Sequence, residues 1–258
     1  MFDAGMVMIL ASLMIVAALY SSVGHGGASG YLAVLSLSSF AASNDAAWLK
    51  QHAWILNLLV AGIAFHHFRR EGHHDFTITK LFIVASVPFA FLGGYLVVDG
   101  EIYDVFLSVI LLLAAWRLMV DSSGDDVSDT SHLESKIAIP TGAGIGMVSG
   151  MIGVGGGIFL SPILMLKGWA TPKGAAATAA AFIWVNSLAG LGGAAVSGQI
   201  VLEIDVLVYF LVAVGIGGIF GSRIGSAVVP QLWVKRFLVV VLIIASARRV
   251  LGLFGLWF

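Results

Sequence analysis

A chain of 258 residues, 59% hydrophobic and only 10% charged, cannot cover itself with a polar surface, because soluble domains carry about 25% charged residues. This composition excludes an ordinary soluble fold and predicts an all-α polytopic membrane protein. The formal net charge of −1 gives no reason to expect a nucleic acid partner, and the absence of cysteine excludes disulfides and thiol chemistry.

Apolar segments follow one another along the chain, and most are long enough to cross a bilayer, which takes about 20 apolar residues. The first segment lacks the basic region of a secretory signal, so we expect it to be retained. Two segments, 28–40 and 157–167, are too short to span, and each follows a glycine-rich break. The segments are 5–23, 28–40, 46–67, 77–98, 103–120, 136–155, 157–167, 174–196, 204–228 and 232–254.

The chain contains an internal repeat. The motif VGHGG, which starts at Val23, recurs as IGVGG 129 residues later, and 129 is half of the chain length. Asn57 and Asn186 are separated by the same interval. The pattern predicts a first repeat at 1–120, a polar linker at 121–136 and a second repeat at 137–258.

The loop charges indicate that the two repeats have inverted topology. Arg69 and Arg70 have no basic counterpart in the second half, whereas the next loop is basic in the second half only, at Lys235 and Arg236. Basic loops favour the cytoplasmic side, so their alternation is typical of inverted repeats. We expect Arg69 and Arg70 inside, and in each half about three full spans plus one glycine-broken helix or hairpin.

The glycine breaks predict an anion site near the middle of the membrane. An unpaired backbone group in hydrocarbon costs several kcal/mol, so non-helical stretches at that depth favour a binding cavity. The short helices that follow, from about Ala28 and Ile158, begin with free N–H groups and a positive dipole end. Glycine lets an anion approach those groups. The alternative is that the glycines serve only close helix packing.

The motifs VGHGGASG and SGMIGVGGGIFLSPIL resemble the paired glycine motifs of the TauE/SafE family, the sulfite-exporter-like membrane proteins, and ATPKGAAATAAAFIWVNSLAG is similar to that family too. The resemblance covers essentially the whole chain. It implies transport, usually export, of sulfite, small organosulfonates or related sulfur anions, without fixing the cargo. The first motif departs from the second at His25, whose counterpart is Val154.

Polar residues in and beside the breaks are candidate substrate contacts. His25 binds an oxyanion or carries a coupled proton, or it is a neutral histidine bonded to a carbonyl. Asn57 and Asn186 contact the anion or tie a broken backbone, and the hydroxyls of Ser22 and Thr178 bind substrate or bond back to their own helix. The candidate substrate-binding residues are Ser22, Gly24, His25, Gly26, Gly27, Asn57, Gly153, Gly155, Gly156, Gly157, Thr178 and Asn186.

Other polar clusters have weaker interpretations. Four histidines, His66, His67, His73 and His74, invite a metal site, but no acidic ligands accompany them at a clear spacing, and we expect neither metal nor cofactor. Arg223 snorkels to the interface or draws anions to the inner mouth. The residues Lys50, Gln51 and His52 lie towards the opposite interface, where they would serve an outer mouth.

The sequence therefore predicts a multi-pass secondary transporter in the inner or plasma membrane. It would export small sulfur anions by alternating access, with the lipid bilayer and the anion as its partners. A homodimer stays open. The alternatives are an anion channel that uses the same breaks as a filter, and an intramembrane enzyme based on His25, which lacks a carboxylate or metal partner.

Overall fold

The structure is a computed structural model, and it describes residues 4–38, 40, 45–97 and 134–227, with single positions within 103–116 and at 243 and 247. All regular elements among these residues are helices, which confirms the predicted all-α class. The helices with defined bounds are α1 (Ala4–Ser21), α2 (Ala28–Ser36), α3 (Ala46–Arg70), α4 (Phe76–Tyr95), α5 (Ser135–Ile152), α6 (Gly157–Leu166), α7 (Pro172–Val196) and α8 (Ile204–Ala227).

The helix lengths agree with the predicted division into spans and short segments. Within the described ranges, four helices are long and apolar enough to cross a membrane: α1, α4, α7 and α8. The short helices α2 and α6 have 9 and 10 residues, or about 15 Å at 1.5 Å per residue, half of a bilayer core. They start at Ala28 and Gly157, within one residue of the prediction. Only single positions of the predicted segments 103–120 and 232–254 are described, and most of the linker lies outside the described residues.

Two outer helix pairs, α1 with α8 and α4 with α5, are built on glycine contacts. Gly217 meets the carbonyl of Met14 and Gly225 that of Ser22, so α1 and α8 run parallel. The residue numbers in contact also rise together on α4 and α5, so these two helices run parallel as well. In each pair, three glycines spaced by four residues let the two backbones approach closely. These glycines are Gly217, Gly221 and Gly225 on α8 and Gly142, Gly146 and Gly150 on α5.

The central helices α3 and α7 cross in opposite directions. The Trp54 ring packs on Gly190 and the Trp184 ring on Gly62. Later residues of α3 therefore contact earlier residues of α7. Helix α8 runs parallel to α3, and helix α4 runs parallel to α7. It follows that α1, α3 and α8 share one direction and α4, α5 and α7 the opposite one.

Each short helix folds back along the helix before it. The hydroxyls of Tyr20 and Ser29 are 2.8 Å apart, and a Cβ at Gly30 would meet Val16, so α2 returns along α1. At the far end of α6, Leu164 shares an apolar cluster with Ala138 near the start of α5. The two hairpins therefore enter the bundle from opposite ends.

Exchanging α1 with α5, α2 with α6, α3 with α7 and α4 with α8 reproduces the same set of helix contacts. The helices exchanged, α1 for α5 and α3 for α7 among them, run in opposite directions. This arrangement is compatible with an inverted repeat, whose orientation across a bilayer stays a prediction.

The side of the membrane on which each helix end lies can be tested by single-cysteine labelling, because the chain contains no cysteine. Glu71→Cys, at the end of α3, and Lys173→Cys, at the start of α7, should react with an impermeant maleimide from the cytoplasmic side. Val201→Cys, beyond the end of α7, should react from outside only, since α3 and α7 are antiparallel. Labelling of Glu71→Cys and Val201→Cys from the same side would contradict the inverted topology.

Candidate functional site

The two glycine breaks share a backbone conformation at two pairs of positions. Gly24 and Gly27 have φ of 74° and 101°, and their counterparts Gly153 and Gly156 have 93° and 82°. Positive φ of this kind costs a residue with a Cβ roughly 1–2 kcal/mol, whereas glycine adopts it freely. The breaks differ at the third pair, because Gly155 has φ of 76° and its counterpart Gly26 does not have positive φ.

The short helices begin without a side-chain cap. The residues Gly27 and Gly156 occupy the cap positions of α2 and α6, and neither provides a side-chain hydrogen bond to the first turn of its helix. By contrast, Asp45, Asp75 and Thr171 cap α3, α4 and α7. Because the first turn of a helix has no internal acceptors, α2 and α6 each present N–H groups at the breaks.

Asn57 lies between the two breaks. A Cβ on Gly26 would collide with its Oδ1, and a Cβ on Gly155 would lie 2.6 Å from its Nδ2. The residue is fully buried near the middle of α3. Its Nδ2 is 3.5 Å from the hydroxyl of Ser187, and its Oδ1 has no hydrogen-bond partner among the described residues. The breaks therefore converge on one buried amide.

His25 connects the first break to the second half. Its Nε2 is 3.1 Å from the carbonyl oxygen of Gly157 and 3.3 Å from the hydroxyl of Ser161. A carbonyl only accepts, so the Nε2–H donates in the first of these contacts. This geometry matches the interpretation of His25 as a neutral histidine that is bonded to a carbonyl. It also places the imidazole at the start of α6.

Three sequence candidates are not joined to the breaks by these contacts. Asn186 is 1% exposed, and neither of its amide atoms has a partner among the described residues. The hydroxyl of Ser22 donates to the carbonyl of Leu19 at 2.7 Å. Thr178 accepts at 3.3 Å from Thr79 on α4. Substrate contact by Ser22 and Thr178 stays a prediction, for which these bonds give no support.

Lys50 lies closer to the breaks than sequence reasoning placed it. The residue is 2% exposed, and its Cβ lies 2.8 Å from a Cβ built on Gly153. The available signal was the spacing of Lys50, Trp54 and Asn57, which puts all three on one face of α3. Its neighbours have other partners: Gln51 accepts from Val201 N–H at 2.7 Å, and His52 Nδ1 is 2.8 Å from the Trp48 carbonyl.

The four-histidine stretch is divided between separate contacts. His67 Nδ1 is 2.7 Å from the hydroxyl of Ser222, and His74 Nε2 is 3.0 Å from that of Thr79. Within the described ranges, no group of three or more potential ligands is positioned to hold a metal. In the loop after α3, burial and Lys173 lower the pKa of His73, and burial and Arg69 lower the pKa of His74.

A shallow cleft opens between α3 and α8 alongside residues Leu58 to His67 of α3. Apolar side chains of both helices line it together with His66, His67 and Arg223. The guanidinium of Arg223 is exposed, as expected for an interfacial arginine. The cleft does not include either glycine break.

Comparison with known proteins gives evidence about the class of protein that does not depend on the structure. Residues 9–249 match the family model described as sulfite exporter TauE/SafE. The chain is 32% identical over 237 residues to the probable membrane transporter protein y4hK of Sinorhizobium fredii, covering 91% of this chain and 94% of that protein. It is 22% identical over 189 residues to the probable membrane transporter protein YunE of Bacillus subtilis, covering 66% and 67%. No solved structure matches.

These matches and the all-helical fold define a membrane transporter. The chain belongs to the sulfite exporter TauE/SafE family, which confirms the resemblance seen in its glycine motifs.

Gly155→Ala should destabilise the protein by about 2–4 kcal/mol, because the new Cβ meets the Asn57 amide and φ at this position is +76°. The thermal midpoint in detergent measures the effect. Gly144→Ala is the matched control, since Gly144 is helical with open space around it, and it should be neutral or stabilising by up to about 1 kcal/mol. Equal midpoints for the two variants would show that the break tolerates a side chain.

Proposed function

We propose that this membrane transporter is a secondary exporter of small sulfur oxyanions, such as sulfite or organosulfonates, in the cell inner or plasma membrane. The position of Asn57 between both breaks carries the proposal. At this point two uncapped helix N-termini and one buried amide are available to a ligand.

Oxyanions suit these groups chemically. Backbone N–H groups at a helix start and the Nδ2 of Asn57 are all donors, and each sulfonate or sulfite oxygen accepts several hydrogen bonds. A buried polar atom without a partner costs about 1–3 kcal/mol. Of the unpartnered amide atoms, the Nδ2 of Asn186 is a donor whose cost a bound anion would offset, whereas the Oδ1 atoms of Asn57 and Asn186 are acceptors.

The arrangement of the halves supports a mechanism of alternating access. Rocking of one hairpin against the other would expose the central site to each side in turn. The contacts of His25 with Gly157 and Ser161 join the two hairpins, so we expect them to break and re-form in each cycle. A negative interior favours exit of an anion by about 2.3 kcal/mol per charge for each 100 mV.

The names of similar proteins agree with this proposal at the level of transport. The family is described as a sulfite exporter family, and both relatives are named as probable membrane transporters. The choice of a sulfur anion as cargo rests on the family description and on the donor groups at the breaks.

A panel of small anions tests the cargo. Sulfite, sulfoacetate, taurine, thiosulfate and sulfate would be added separately to the purified protein, with choline as a cationic control. At least one sulfur anion should raise the thermal midpoint in proportion to the logarithm of its concentration, because a ligand that binds only the folded state stabilises by RT ln(1 + [L]/Kd). Stabilisation by choline and by none of the anions would rule out the anion site.

Flux measurements in proteoliposomes distinguish a carrier from a channel. A carrier should saturate with substrate and show counterflow, since each turnover needs a conformational change. Linear conductance without saturation would favour the channel alternative.

His25→Ala should alter this flux. The substitution removes the contact between the hairpins, and it removes the one ionisable group inside a break. We expect a changed rate, a changed pH profile, or both, and a smaller effect from Ser161→Ala, which removes one hairpin contact but keeps the imidazole and its bond to Gly157. Unchanged flux and an unchanged pH profile would exclude His25 from the mechanism.

A further inference from the structure

Lys50 differs from every other charged residue that the structure describes. Among the described residues it is the one Lys, Arg, Asp or Glu that is buried, with 2% of its surface exposed. Arg69 and Arg70, at the other end of the same helix, are exposed, as expected for side chains that reach the interface. The ammonium of Lys50 does not take this route to water.

Among the described residues, the charge of Lys50 is compensated by an aromatic ring, by the Asp45 carboxylate at longer range and by the C-terminal end of α5 at Gly153. The Nζ lies 5.7 Å from the ring centroid of Trp54. Within the described ranges, Lys50 makes this cation–π contact and no ion pair with a carboxylate. The acid at the start of the helix, Asp45, caps it by accepting from the N–H of Trp48 at 2.9 Å.

This position is energetically unfavourable for a cation. Removing an ammonium from water costs several kcal/mol even after relaxation of the protein. A bound anion would relieve this cost.

One face of α3 lies alongside the second glycine break. Lys50 packs against Gly153 and Asn57 against Gly155, and Trp54 lies between them along α3 with its indole against Gly190 of α7. The indole Nε1 of Trp54 has no hydrogen-bond partner among the described residues. Over about 10 Å of helix, this face therefore carries three donors, which are the ammonium of Lys50, the indole N–H of Trp54 and the Nδ2 of Asn57.

The first break has no such face. At the repeat interval of 129 residues, the counterparts of Lys50 and Trp54 are Ala179 and Ile183. Both are buried in α7. The cation is therefore present on one side of the central amide only.

We propose that Lys50 is the cationic contact of the transported anion, in a binding site along the Lys50–Trp54–Asn57 face. This inference rests on the proposed function and deepens it. The ammonium pairs with a sulfonate or sulfite oxygen, the indole N–H donates to a second oxygen, and a neutral sulfone of the same shape is rejected.

The test compares two matched substitutions, Lys50→Met and Lys80→Met. Both lysines are the fifth residue of their helix, α3 and α4, but Lys80 is exposed. Thermal midpoints are measured against increasing concentrations of the sulfur anion that stabilises the wild-type protein best. Lys50→Met should weaken the apparent affinity by about tenfold or more, the size expected for loss of one charged hydrogen bond. Lys80→Met should match wild type.

The midpoint without anion separates a binding role from a structural one. Replacing an unpaired buried charge by an apolar chain should leave this midpoint unchanged or raise it. A lower midpoint together with an unchanged anion response would indicate a structural lysine and overturn the inference. Lys50→Arg, which keeps the charge, should recover part of the affinity.

The remaining outcomes are also decisive. A wild-type anion response in Lys50→Met would overturn this inference and leave the proposed function standing. No anion response in the wild-type protein would remove the proposed function, and this inference with it. If the variants do not fold, wild-type stabilisation by methanesulfonate is compared with that by dimethyl sulfone. Equal stabilisation by the two would overturn the role of the cation, and a response to methanesulfonate alone would support it.

Discussion

Backbone groups in an apolar bundle must find hydrogen-bond partners, and this constraint shapes the rest of the molecule. Each glycine break interrupts a helix where no water-rich loop surrounds it. Side chains from elsewhere supply partners: Tyr31 donates to the carbonyl of Gly26 at 2.7 Å, and Tyr103 to that of Ile152 at 3.1 Å. These two carbonyls at the breaks are paired in this way, whereas the cap residues of α2 and α6 provide no side-chain hydrogen bond.

Glycine has two distinct tasks in this chain. On α5 and α8 the glycines spaced by four residues bring neighbouring backbones together, which is the packing alternative raised by the sequence. At Gly27 and Gly156 the backbone has positive φ, which packing alone does not require. The outer contacts fix the helix pairs, and the pairs hold the two hairpins so that both breaks reach Asn57.

The asymmetry between the halves is as informative as their likeness. His25 takes the place of Val154, and Lys50 takes the place of Ala179. Both polar members of these pairs come from the first half and face the second break or the start of α6. Near the point where the halves meet, these two ionisable groups therefore both come from the first half.

The sequence by itself determined the all-helical class, the two short helices and the pairing of the glycine motifs. Those features follow from local rules: hydrophobic run length, the conformational freedom of glycine, and recurrence at a fixed interval. Only the tertiary structure decided that Asn57 touches both breaks, that Thr178 bonds to α4, and that Lys50 is enclosed rather than interfacial. The reason is physical, because spacing places a residue on a helix face but the packing of other helices decides what that face meets.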